Sequence, residues 1–502
     1  MTKADFGVFF AVVEAVVPKE DYDEAIAQIA SLKQELDQLK RLIFAAKSER
    51  LAPASAPEQM ALWDEDAHAG AADVEKQTVT YQRKKKSAHA GRQPLPDHLP
   101  VDEVILEPQE DTEGLKRIGE EITDTLDYVP GSLRIKRTIR PKYARPEEVE
   151  DEPTVVIAPL PGRPIEKGIP EPGLLAHIFV AKYVDHQPFY RQIKGFARDY
   201  NWKAGSSTFS DWLAACCTLM EPLYQCLLRK VIDTDYVQTD ESPIKVLDSE
   251  KKGKTHQGYM WVYRNPVSGL ILFEYRKGRG ANGVLERLKD FTGYLQTDGY
   301  SAYKTYLKKH SDVEGVSCLA HIRRKFFNAQ KNDRRKAEMA LAAINFIYHV
   351  DAHCRRKNRN AQQRLALRQR LSLPVYEALL DWVNYAQANN LSKGDMGKAL
   401  HYAKNELPKL RSCFTDGGLE LDNNLIENSI RPLALGRKNY LFAGSHPAAK
   451  RAAMMYSFFA SCQKLDVNPR DWLQDVLGRL PDHPINTLET LLPGKWKMDE
   501  EV

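Results

Sequence analysis

A change in the spacing of apolar residues after Val231 is the feature that most restricts the fold. Three consecutive runs, DTDYVQTDE, GYMWVYRN and LILFEYRKG, have the composition and alternation of strands. After them NGVLERLKDF predicts a helix, GYLQTD a strand, YSAYKTYLKKH a helix and VEGVSCLA a strand, and a further helix follows from Ile322. Three strands that can pair antiparallel, followed by alternating helices and strands, predict an α/β protein with a mixed sheet.

The α/β pattern is interrupted by a long helical block. Residues 330–415 contain helical runs such as AEMALAAINFIYHV and PVYEALLDWVNYAQ, and they include no strand candidate. We therefore predict a helical insertion or a separate lobe there. The core would begin with residues 231–329 and resume over 416–460, and residues 461–502 would form a C-terminal helical tail.

A second helical region, residues 174–230, precedes the strands. In PFYRQIKGFARDYNWKAGSSTFSDWL we predict a helix, a turn near Asn201–Gly205, and a second helix capped by Ser206 or Ser207. A DNA-binding helix-turn-helix and an ordinary helical hairpin would both show this pattern. For the first alternative the candidate DNA contacts are Arg191, Lys194 and Arg198.

The N-terminal part carries a repeat with steps of three and four residues. It places apolar residues at Tyr22, Ala25, Ile29, Leu32, Leu36, Leu39, Ile43 and Ala46. This is the spacing of a heptad seam, which predicts a coiled coil over residues 21–50 and a homo-oligomer. An amphipathic helix packed on its own domain is the alternative. Residues 1–20 are interpreted as a leader, which an upstream translation start would also explain.

Three segments of different composition join the coiled coil to the helical region. Residues 51–100 are interpreted as a basic linker, and Lys84, Lys85 and Lys86 within it suit either solvation or phosphate contact. Residues 101–150 hold strand-like runs such as TLDYVPGSLRIKRTIRPKY and predict a small β-rich module. Eight prolines between Pro141 and Pro172 predict a linker over residues 151–173.

Cysteine usage and hydropathy indicate the compartment. The seven cysteines are scattered without paired spacing, which favours a reducing cytoplasm over export. The apolar run Phe6–Val17 is too short to span a bilayer and contains Glu14. We therefore expect a cytoplasmic protein without a membrane partner. The net charge of +4 is too small to identify a partner, so local charge has to do so.

Three acidic residues occupy positions where a site can form. Asp240 ends the first predicted strand, Asp298 ends the fourth, and Glu427 lies on the helix after the insertion. Strand ends on one sheet edge bring distant residues together, and a helix across that edge can add a third carboxylate. Mg²⁺ prefers oxygen ligands, and two such ions about 3.5–4 Å apart catalyse phosphoryl displacement. The three acids are therefore candidate catalytic residues and metal ligands.

Concentrated positive charge borders these acids. HIRRKFFNAQKNDRRK has seven Lys or Arg against one Asp, and residues 428–451 contain five Lys or Arg and no acid. Cations beside a carboxylate cluster suit a polyanion, so double-stranded DNA is the expected partner. The candidate contacts are Arg323, Arg324, Lys325, Arg431, Arg437 and Lys438.

Each acid also has a purely structural interpretation. Asp240 can open a turn, with Glu241 or Asp235 as the important acid, and Asp298-Gly can form a hairpin turn. Asn424 and Glu427 have the spacing of a capping box. The hairpin is disfavoured because a helix follows it.

Two further motifs could contribute to the site: a set of residues with helical spacing around Glu427, and a C-x-x-H pair before the insertion. Asn423, Glu427 and Arg431 share a helix face, although Pro432 biases Arg431 away from helical geometry. Cys318 and His321 form a C-x-x-H pair, for which we favour structural packing over zinc because no second pair lies nearby.

At these residues the sequence resembles the DDE-type transposases of the insertion sequence 66 family. The resemblance rests on TDES, YLQTDGY, CLAHIRRKF, DNNLIENSIRPLALGRKNYLFAGS and LIFAAKSER, and it extends from about residue 21 to the end. It implies a ribonuclease-H-like core whose Asp-Asp-Glu triad corresponds to Asp240, Asp298 and Glu427. It also implies two bound Mg²⁺ or Mn²⁺ ions, and it makes the C-x-x-H pair a signature between the second and third acids.

One departure from that family concerns zinc. Family members commonly carry a zinc module with two cysteine pairs after the linker, but LEPQEDTEGL and KYARPEEVED contain no cysteine, so structural zinc is not expected. The resemblance predicts a bacterial, nucleoid-associated transposase that cuts element ends and joins them to target DNA, with possible accessory proteins of the element. A structure-selective nuclease with the same core, or an inactive DNA-binding protein of a decayed element, are the alternatives.

Overall fold

The computed structural model describes residues 131–144, 155–157, 162–205, 207–247, 253–389 and 394–497. The chain divides into two compact units, and all helices and strands below belong to the unit that contains Ile135–Val502. The predicted leader, coiled coil and basic linker, including Lys84, Lys85 and Lys86, lie outside the described residues, as do residues 101–130 of the predicted β-rich module. These remain predictions.

A two-stranded antiparallel sheet comes first. Strand β1, Lys142–Ala144, pairs with β2, Val155–Ile157, which lies within the Pro-rich segment. Both strands are edges, where prolines nearby are tolerated. In the described part of the predicted strand run over residues 125–143, only Lys142 and Tyr143 lie in a strand, and residues 131–141 form neither helix nor strand.

Three helices follow: α1 (Pro172–Tyr183), α2 (Phe189–Tyr200) and α3 (Thr208–Ile232). The predicted helix, turn and helix are present in α2 and α3. Asn201 ends α2 in the left-handed conformation, with φ of 50°. Ser207 occupies the N-cap of α3, but its side chain makes no cap hydrogen bond. An aromatic cluster joins the two helices; its members are Phe189, Phe196, Trp202, Phe209 and Trp212.

The predicted mixed sheet is present and has five strands. They are β3 (Tyr236–Leu247), β4 (Thr255–Arg264), β5 (Ile271–Arg276), β6 (Gly293–Gln296) and β7 (Val313–Val316). Their order across the sheet is β5-β4-β3-β6-β7. The first three pair antiparallel, whereas β6 is parallel to β3 and β7 is parallel to β6.

Three short helices alternate with the parallel strands. They are α4 (Asn282–Arg287), which precedes β6, α5 (Ser301–Leu307), which connects β6 to β7, and α6 (Leu319–Ala329), which follows β7. Each lies near a position where the sequence predicted a helix. Strands β6 and β7 are shorter than predicted, since Thr297 and Asp298 follow β6 as loop residues and β7 ends at Val316. This arrangement leaves the carboxyl ends of β3, β6 and β7 open to a helix from elsewhere in the chain.

The insertion is helical throughout its described residues. It contains α7 (Arg334–Arg356), α8 (Ala361–Leu367), a π-helical turn (Arg368–Ser372), α9 (Leu373–Ala388), α10 (Asp395–Glu406) and a 3₁₀ helix (Leu407–Phe414). It has a hydrophobic core that it shares with α6 and Val316 of β7. The insertion therefore packs directly on the parallel side of the sheet.

A buried ion pair stabilises the insertion. The guanidinium of Arg368, 0% exposed, forms two hydrogen bonds to the Asp351 carboxylate, at 2.7 and 3.0 Å. It also donates to the carbonyl oxygens of Cys413 and Leu419, at 3.0 and 2.8 Å. The side chain thus ties α7 and the π-helical turn to the segment that returns to the core.

The chain ends in three α-helices and two short 3₁₀ helices. They are α11 (Asn424–Tyr440), α12 (His446–Lys464), α13 (Pro469–Arg479), Leu480–Asp482 and Ile485–Leu491. Helix α12 covers the edge strand β5: the amides of Ile271 and Phe273 donate to the hydroxyls of Ser461 and Ser457, at 2.9 and 2.7 Å. These contacts close an edge that would otherwise pair with another strand.

Among the helices of the described ranges, none combines the length and the apolar composition needed to cross a bilayer.

Candidate active site

The first two predicted acids lie side by side on parallel strands. The last residue pair between β3 and β6 joins Gln238 to Gln296. Asp240 and Asp298 each follow that pair by two residues, so the register places them at equivalent positions. Oxygen atoms of Asp240, Asp298 and Glu241 lie within 4.8 Å of one another.

Asp240 is not at the end of its strand, as the sequence analysis had predicted. It is the fifth of the twelve residues of β3, which continues to Leu247 because it remains paired with β4 beyond the end of β6. Asp240 nevertheless lies just past the parallel pairing with β6. The relevant edge is therefore the end of the β3–β6 pairing rather than the end of β3.

Asp298 begins a loop that leads into a helix, not a hairpin. Its carboxylate accepts a hydrogen bond from the amide of Tyr300 at 2.9 Å, and Gly299 has φ of +83°, which favours glycine. The hydroxyl of Tyr402, on helix α10 of the insertion, donates to the Asp298 carbonyl at 2.9 Å. The insertion thus holds the backbone of the second acid directly.

The third acid, Glu427, lies in the first turn of α11. Asn423 is the N-cap residue, and its side-chain amide donates to the Thr239 carbonyl at 3.0 Å. Its own backbone amide donates to the sulfur of Cys318 at 3.2 Å. The helix that carries Glu427 is therefore attached to β3 next to Asp240.

The capping box that the sequence allowed is not formed. Asn424 bonds to Asp422 instead, and Glu427 makes no bond to the N-cap amide. Helix α11 also continues through Pro432, so Arg431 stays helical, contrary to the bias expected from that proline. Asn423, Glu427 and Arg431 therefore do share one face of the helix start.

Glu427 is grouped with the C-x-x-H pair. Ligand atoms of Cys318, His321 and Glu427 lie within 4.8 Å of one another, and those of Asp240 and Asp298 form the neighbouring group. The Glu427 carboxylate lies 3.9 Å from His321 Nε2 and 3.9 Å from Arg324 Nη2. The structure thus brings the first two acids together and places the third close enough to affect the pKa of Asp240, with its carboxylate turned toward His321 and Arg324.

Burial makes the charge on Asp240 costly. Burial raises the pKa of Asp240 to about 8, with further contributions from the neighbouring carboxylates of Asp298 and Glu241 and, more weakly, from Glu427. A carboxyl with this pKa is mostly protonated at neutral pH and half protonated only near pH 8. A bound cation would favour its charged form, so this site has the electrostatics of a cation site.

Three polar atoms at the site lack hydrogen-bond partners within the described part of the chain. They are Oε1 of Glu427, Nδ1 of His321 and Oδ1 of Asn423, all buried. Buried polar atoms are normally satisfied, so such atoms call for an explanation. Oxygen donors from Asp240, Asp298 and Glu427 are the ligands that Mg²⁺ and Mn²⁺ accept. The residues present fit a hard divalent cation.

Glu241 is a site residue to which the sequence analysis gave only a secondary place. Its side chain is 1% exposed; it accepts from Nε of Arg279 at 2.9 Å and from the Tyr303 hydroxyl at 2.8 Å. Burial raises the pKa of Glu241, and these two donors oppose that effect. Asp235, the other acid considered, is exposed. Glu241 therefore supports the site from within the fold.

A buried glutamine pair was missed altogether. Nε2 of Gln238 donates to Oε1 of Gln296 at 2.8 Å, and Nε2 of Gln296 donates to the Glu420 carbonyl at 2.8 Å. Arg264 donates to Oε1 of Gln238 at 2.6 Å. The pair links both acid-bearing strands to the segment that leads to α11. The sequence signal for this pair is the triplet QTD, which occurs twice and each time ends with one of the two strand acids.

The predicted DNA contacts within the described ranges are exposed, except one. Arg191, Lys194, Arg198, Arg323, Arg324, Lys325, Arg431 and Lys438 are exposed. Arg437 is half-buried and donates to the Ser242 hydroxyl at 2.9 Å and to the Pro243 carbonyl at 2.6 Å. Arg437 therefore ties α11 to β3, in addition to any role toward a ligand.

We expect Asp240→Asn to stabilise the metal-free protein at alkaline pH by about 1–3 kcal/mol. Because the pKa of Asp240 is raised to about 8 in the folded state, folded protein binds a proton that unfolded protein releases above its ordinary pKa. This contribution to the free energy of unfolding falls as pH rises toward 8, and the variant lacks it. Thermal unfolding in chelator from pH 5 to 9 measures the gap, which should widen with pH. A gap that stays constant would contradict the prediction.

Comparisons with known proteins give consistent matches along the chain. The family model described as "Transposase IS66 family" matches residues 167–451. The model "Transposase C of IS166 homeodomain" matches residues 31–104, and "IS66 C-terminal element" matches residues 457–493. The first of these models covers both strand acids, the insertion and Glu427.

Full-length relatives occur in Sinorhizobium fredii. The chain is 32% identical to the uncharacterized protein y4jD over 509 residues, which covers 96% of this chain and 97% of that protein. It is 31% identical to the uncharacterized protein y4qI over 492 residues, covering 94% and 90% respectively. The similarity therefore extends over the whole architecture.

Proposed function

Because the chain belongs to the IS66 family of transposases, we propose that it is a DDE transposase that cuts the ends of its element and joins them to target DNA. Asp240, Asp298 and Glu427 are the proposed catalytic acids. The single observation that supports this best is the equivalent register of Asp240 and Asp298 on adjacent parallel strands, with the helix of Glu427 tied beside them through Asn423.

The core is proposed to be ribonuclease-H-like. Support comes from the five-stranded mixed sheet, with three antiparallel strands followed by two parallel ones, and from the position of both strand acids at one edge of it. Sheet geometry alone does not identify a reaction, since unrelated functions share such folds. The acids and their surroundings carry the functional argument.

Divalent cations are proposed to bind between the carboxylates of Asp240, Asp298 and Glu427. Mg²⁺ or Mn²⁺ is expected, with two ions, whereas no structural zinc is proposed. When bound, such cations neutralise the phosphodiester and activate the attacking oxygen. The effects of burial and of the neighbouring carboxylates, which raise the pKa of Asp240, would then be offset, so that cation binding is linked to release of a proton.

The surrounding residues of the chain position the nucleic acid. Helix α6 carries His321 and helix α11 carries Glu427, and both helices carry exposed cations; double-stranded DNA is the proposed ligand of these cations. Arg324 pairs with Glu427 at 3.9 Å and can move to a phosphate when a cation takes the carboxylate. The phosphate contacts fix the position of the backbone, and the acids then meet the scissile group.

The proposed N-terminal coiled coil would pair protomers, so that two DNA ends are held together. This part lies outside the described residues, and the match to residues 31–104 is compatible with a family-specific N-terminal module. Accessory proteins of the element remain part of the proposal.

Joining of DNA separates a transposase from a nuclease with the same core. The purified full-length chain would be incubated with Mg²⁺, a supercoiled target plasmid, and labelled DNA from the region that flanks its coding sequence, either intact or pre-cleaved. We expect labelled ends to become covalently attached to the plasmid. Efficient cutting without attachment, under conditions that include the pre-cleaved end, would support a nuclease instead, and neither product would count against both.

A further inference from the structure

A cavity of about 520 Å³ lies between the helical insertion and the core. Helices α9 and α10 of the insertion form one wall, and α5 and α6 of the core form the other, through Lys304 and Lys325. Cavities of this size accommodate a small organic ligand. Of its lining residues, only Lys325 has a role in the function proposed above, as a candidate DNA contact.

The cavity adjoins both halves of the candidate active site. The hydroxyl of Tyr402, a lining residue, donates to the Asp298 carbonyl at 2.9 Å. Lys325, another lining residue, is one helical turn beyond His321, whose ring nitrogen is 3.9 Å from Glu427.

The walls of the cavity are basic. Lys304, Lys325 and Lys398 line it, together with a single carboxylate, that of Glu406. Glu406 has a side chain only 1% exposed and is paired with Lys304 at 3.1 Å and with Lys409 at 2.7 Å. Lys398 is paired with Asp395 at 3.2 Å. With these ion-pair partners included, Lys304, Lys325, Lys398 and Lys409 stand against the two carboxylates of Glu406 and Asp395, so the cavity still offers an excess of positive charge to an anion. A phosphate group meets this requirement.

The remaining lining groups suit a nucleobase. The rings of Tyr402 and His401 provide surfaces for stacking, and Gln387 and Asn405 provide amides. Oε1 of Gln387 is buried and has no hydrogen-bond partner among the described residues, although its Nε2 lies 3.3 Å from His401 Nδ1. An amino group of a base would satisfy that oxygen. The same cavity therefore contains lysines that can bind a phosphate group and side chains that can bind a nucleobase.

We propose that this cavity receives one unpaired nucleotide of the DNA strand next to the scissile phosphate. This inference rests on the proposed function, which brings DNA to the adjoining acids. Its phosphate would bind the lysines, and its base would stack on Tyr402 and bond to Gln387. Unpairing and unstacking a nucleotide of the duplex costs a few kcal/mol in general. Contacts between the base and the cavity have to offset this free energy.

Duplexes with and without an unpaired nucleotide test the proposal. A labelled 20-base-pair duplex, blunt or with one unpaired 2-aminopurine nucleotide at a 3′ or 5′ end, would be titrated with full-length protein in EDTA, so that nothing is cut. We expect one of the overhanging duplexes to bind about tenfold more tightly than the blunt one. Gln387→Ala and Lys398→Ala should each reduce this ratio at least about threefold while blunt-duplex affinity changes little.

Lys404→Ala provides the matched control, because Lys404 is exposed on α10 but does not line the cavity. It should keep the wild-type ratio. Equal affinity of wild type for blunt and overhanging duplexes would overturn the proposal, as would a ratio that neither cavity variant changes. Failure of wild type to bind the blunt duplex would count against the proposed function itself, so the two failures are distinguishable.

Discussion

Replacing Glu427 with Gln is expected to lower the rate of DNA cleavage at least about a thousandfold. The amide keeps the size of the side chain but loses the negative charge and one ligand oxygen. Since Glu427 is half-buried, its Oε1 has no hydrogen-bond partner among the described residues, and its helix is attached through Asn423, the fold should be unaffected. Cleavage of labelled end DNA with Mg²⁺ gives the rate, and filter binding in EDTA gives the DNA affinity, which should change less than about threefold.

A matched control is available on helix α7. Glu338 pairs with Arg334 on the surface at 2.7 Å, so Glu338→Gln makes the same chemical change far from any acid of the site. This variant should cut DNA at the wild-type rate. Asp298→Asn should show the same loss as Glu427→Gln. Cleavage by Glu427→Gln within tenfold of wild type would remove the third acid from the assignment.

Arg368→Met is expected to reduce the free energy of unfolding by about 3–5 kcal/mol, because it leaves the buried Asp351 carboxylate with only its longer contact to Arg355, at 3.5 Å. Asp351 is only 2% exposed, and the same guanidinium satisfies two carbonyl oxygens of the returning segment. Urea unfolding monitored by tryptophan fluorescence would report the loss. The reduced stability should come without any change in residues that contact DNA.

Two comparisons isolate the buried pair from a general effect of arginine removal. Arg334→Met breaks an exposed pair on the same helix as Asp351 and should cost less than about 1 kcal/mol. The double variant Arg368→Met with Asp351→Leu removes the stranded charge and should recover much of the lost stability. If the double variant is no more stable than Arg368→Met, the hydrogen bonds to the carbonyl oxygens, rather than the charge, dominate.

Local pattern was sufficient to predict the sheet and the helices. The strand runs and intervening helices between residues 233 and 329 are each found near their predicted positions, because alternation of apolar residues is a local property. The order of the strands follows from pairing over long distances, which periodicity does not encode. Continuation of β3 through Asp240 reflects pairing with β4, and so the predicted strand end was wrong.

The residues that hold the acids in position were harder to predict than the acids themselves. Asp240, Asp298 and Glu427 attract attention by charge and position, and they remain proposals for catalysis. Glu241 depends on Arg279, 38 residues away. To predict the hydrogen bond between Gln238 and Gln296, one would have to know that β3 and β6 are neighbours in parallel register. The repeated QTD triplet would have indicated this pairing, since each strand carries the same residues at the same distance from its acid.

Helix α11 supplies the last of the three acids only after the whole insertion has been made. A ribosome that has completed β7 has therefore produced both strand carboxylates but neither Glu427 nor Asn423, which attaches its helix to β3. A nonsense codon or a frameshift anywhere in the insertion leaves a polypeptide without the third acid. Incomplete translation products thus lack part of the proposed active site, and only a chain translated past α11 contains all three acids.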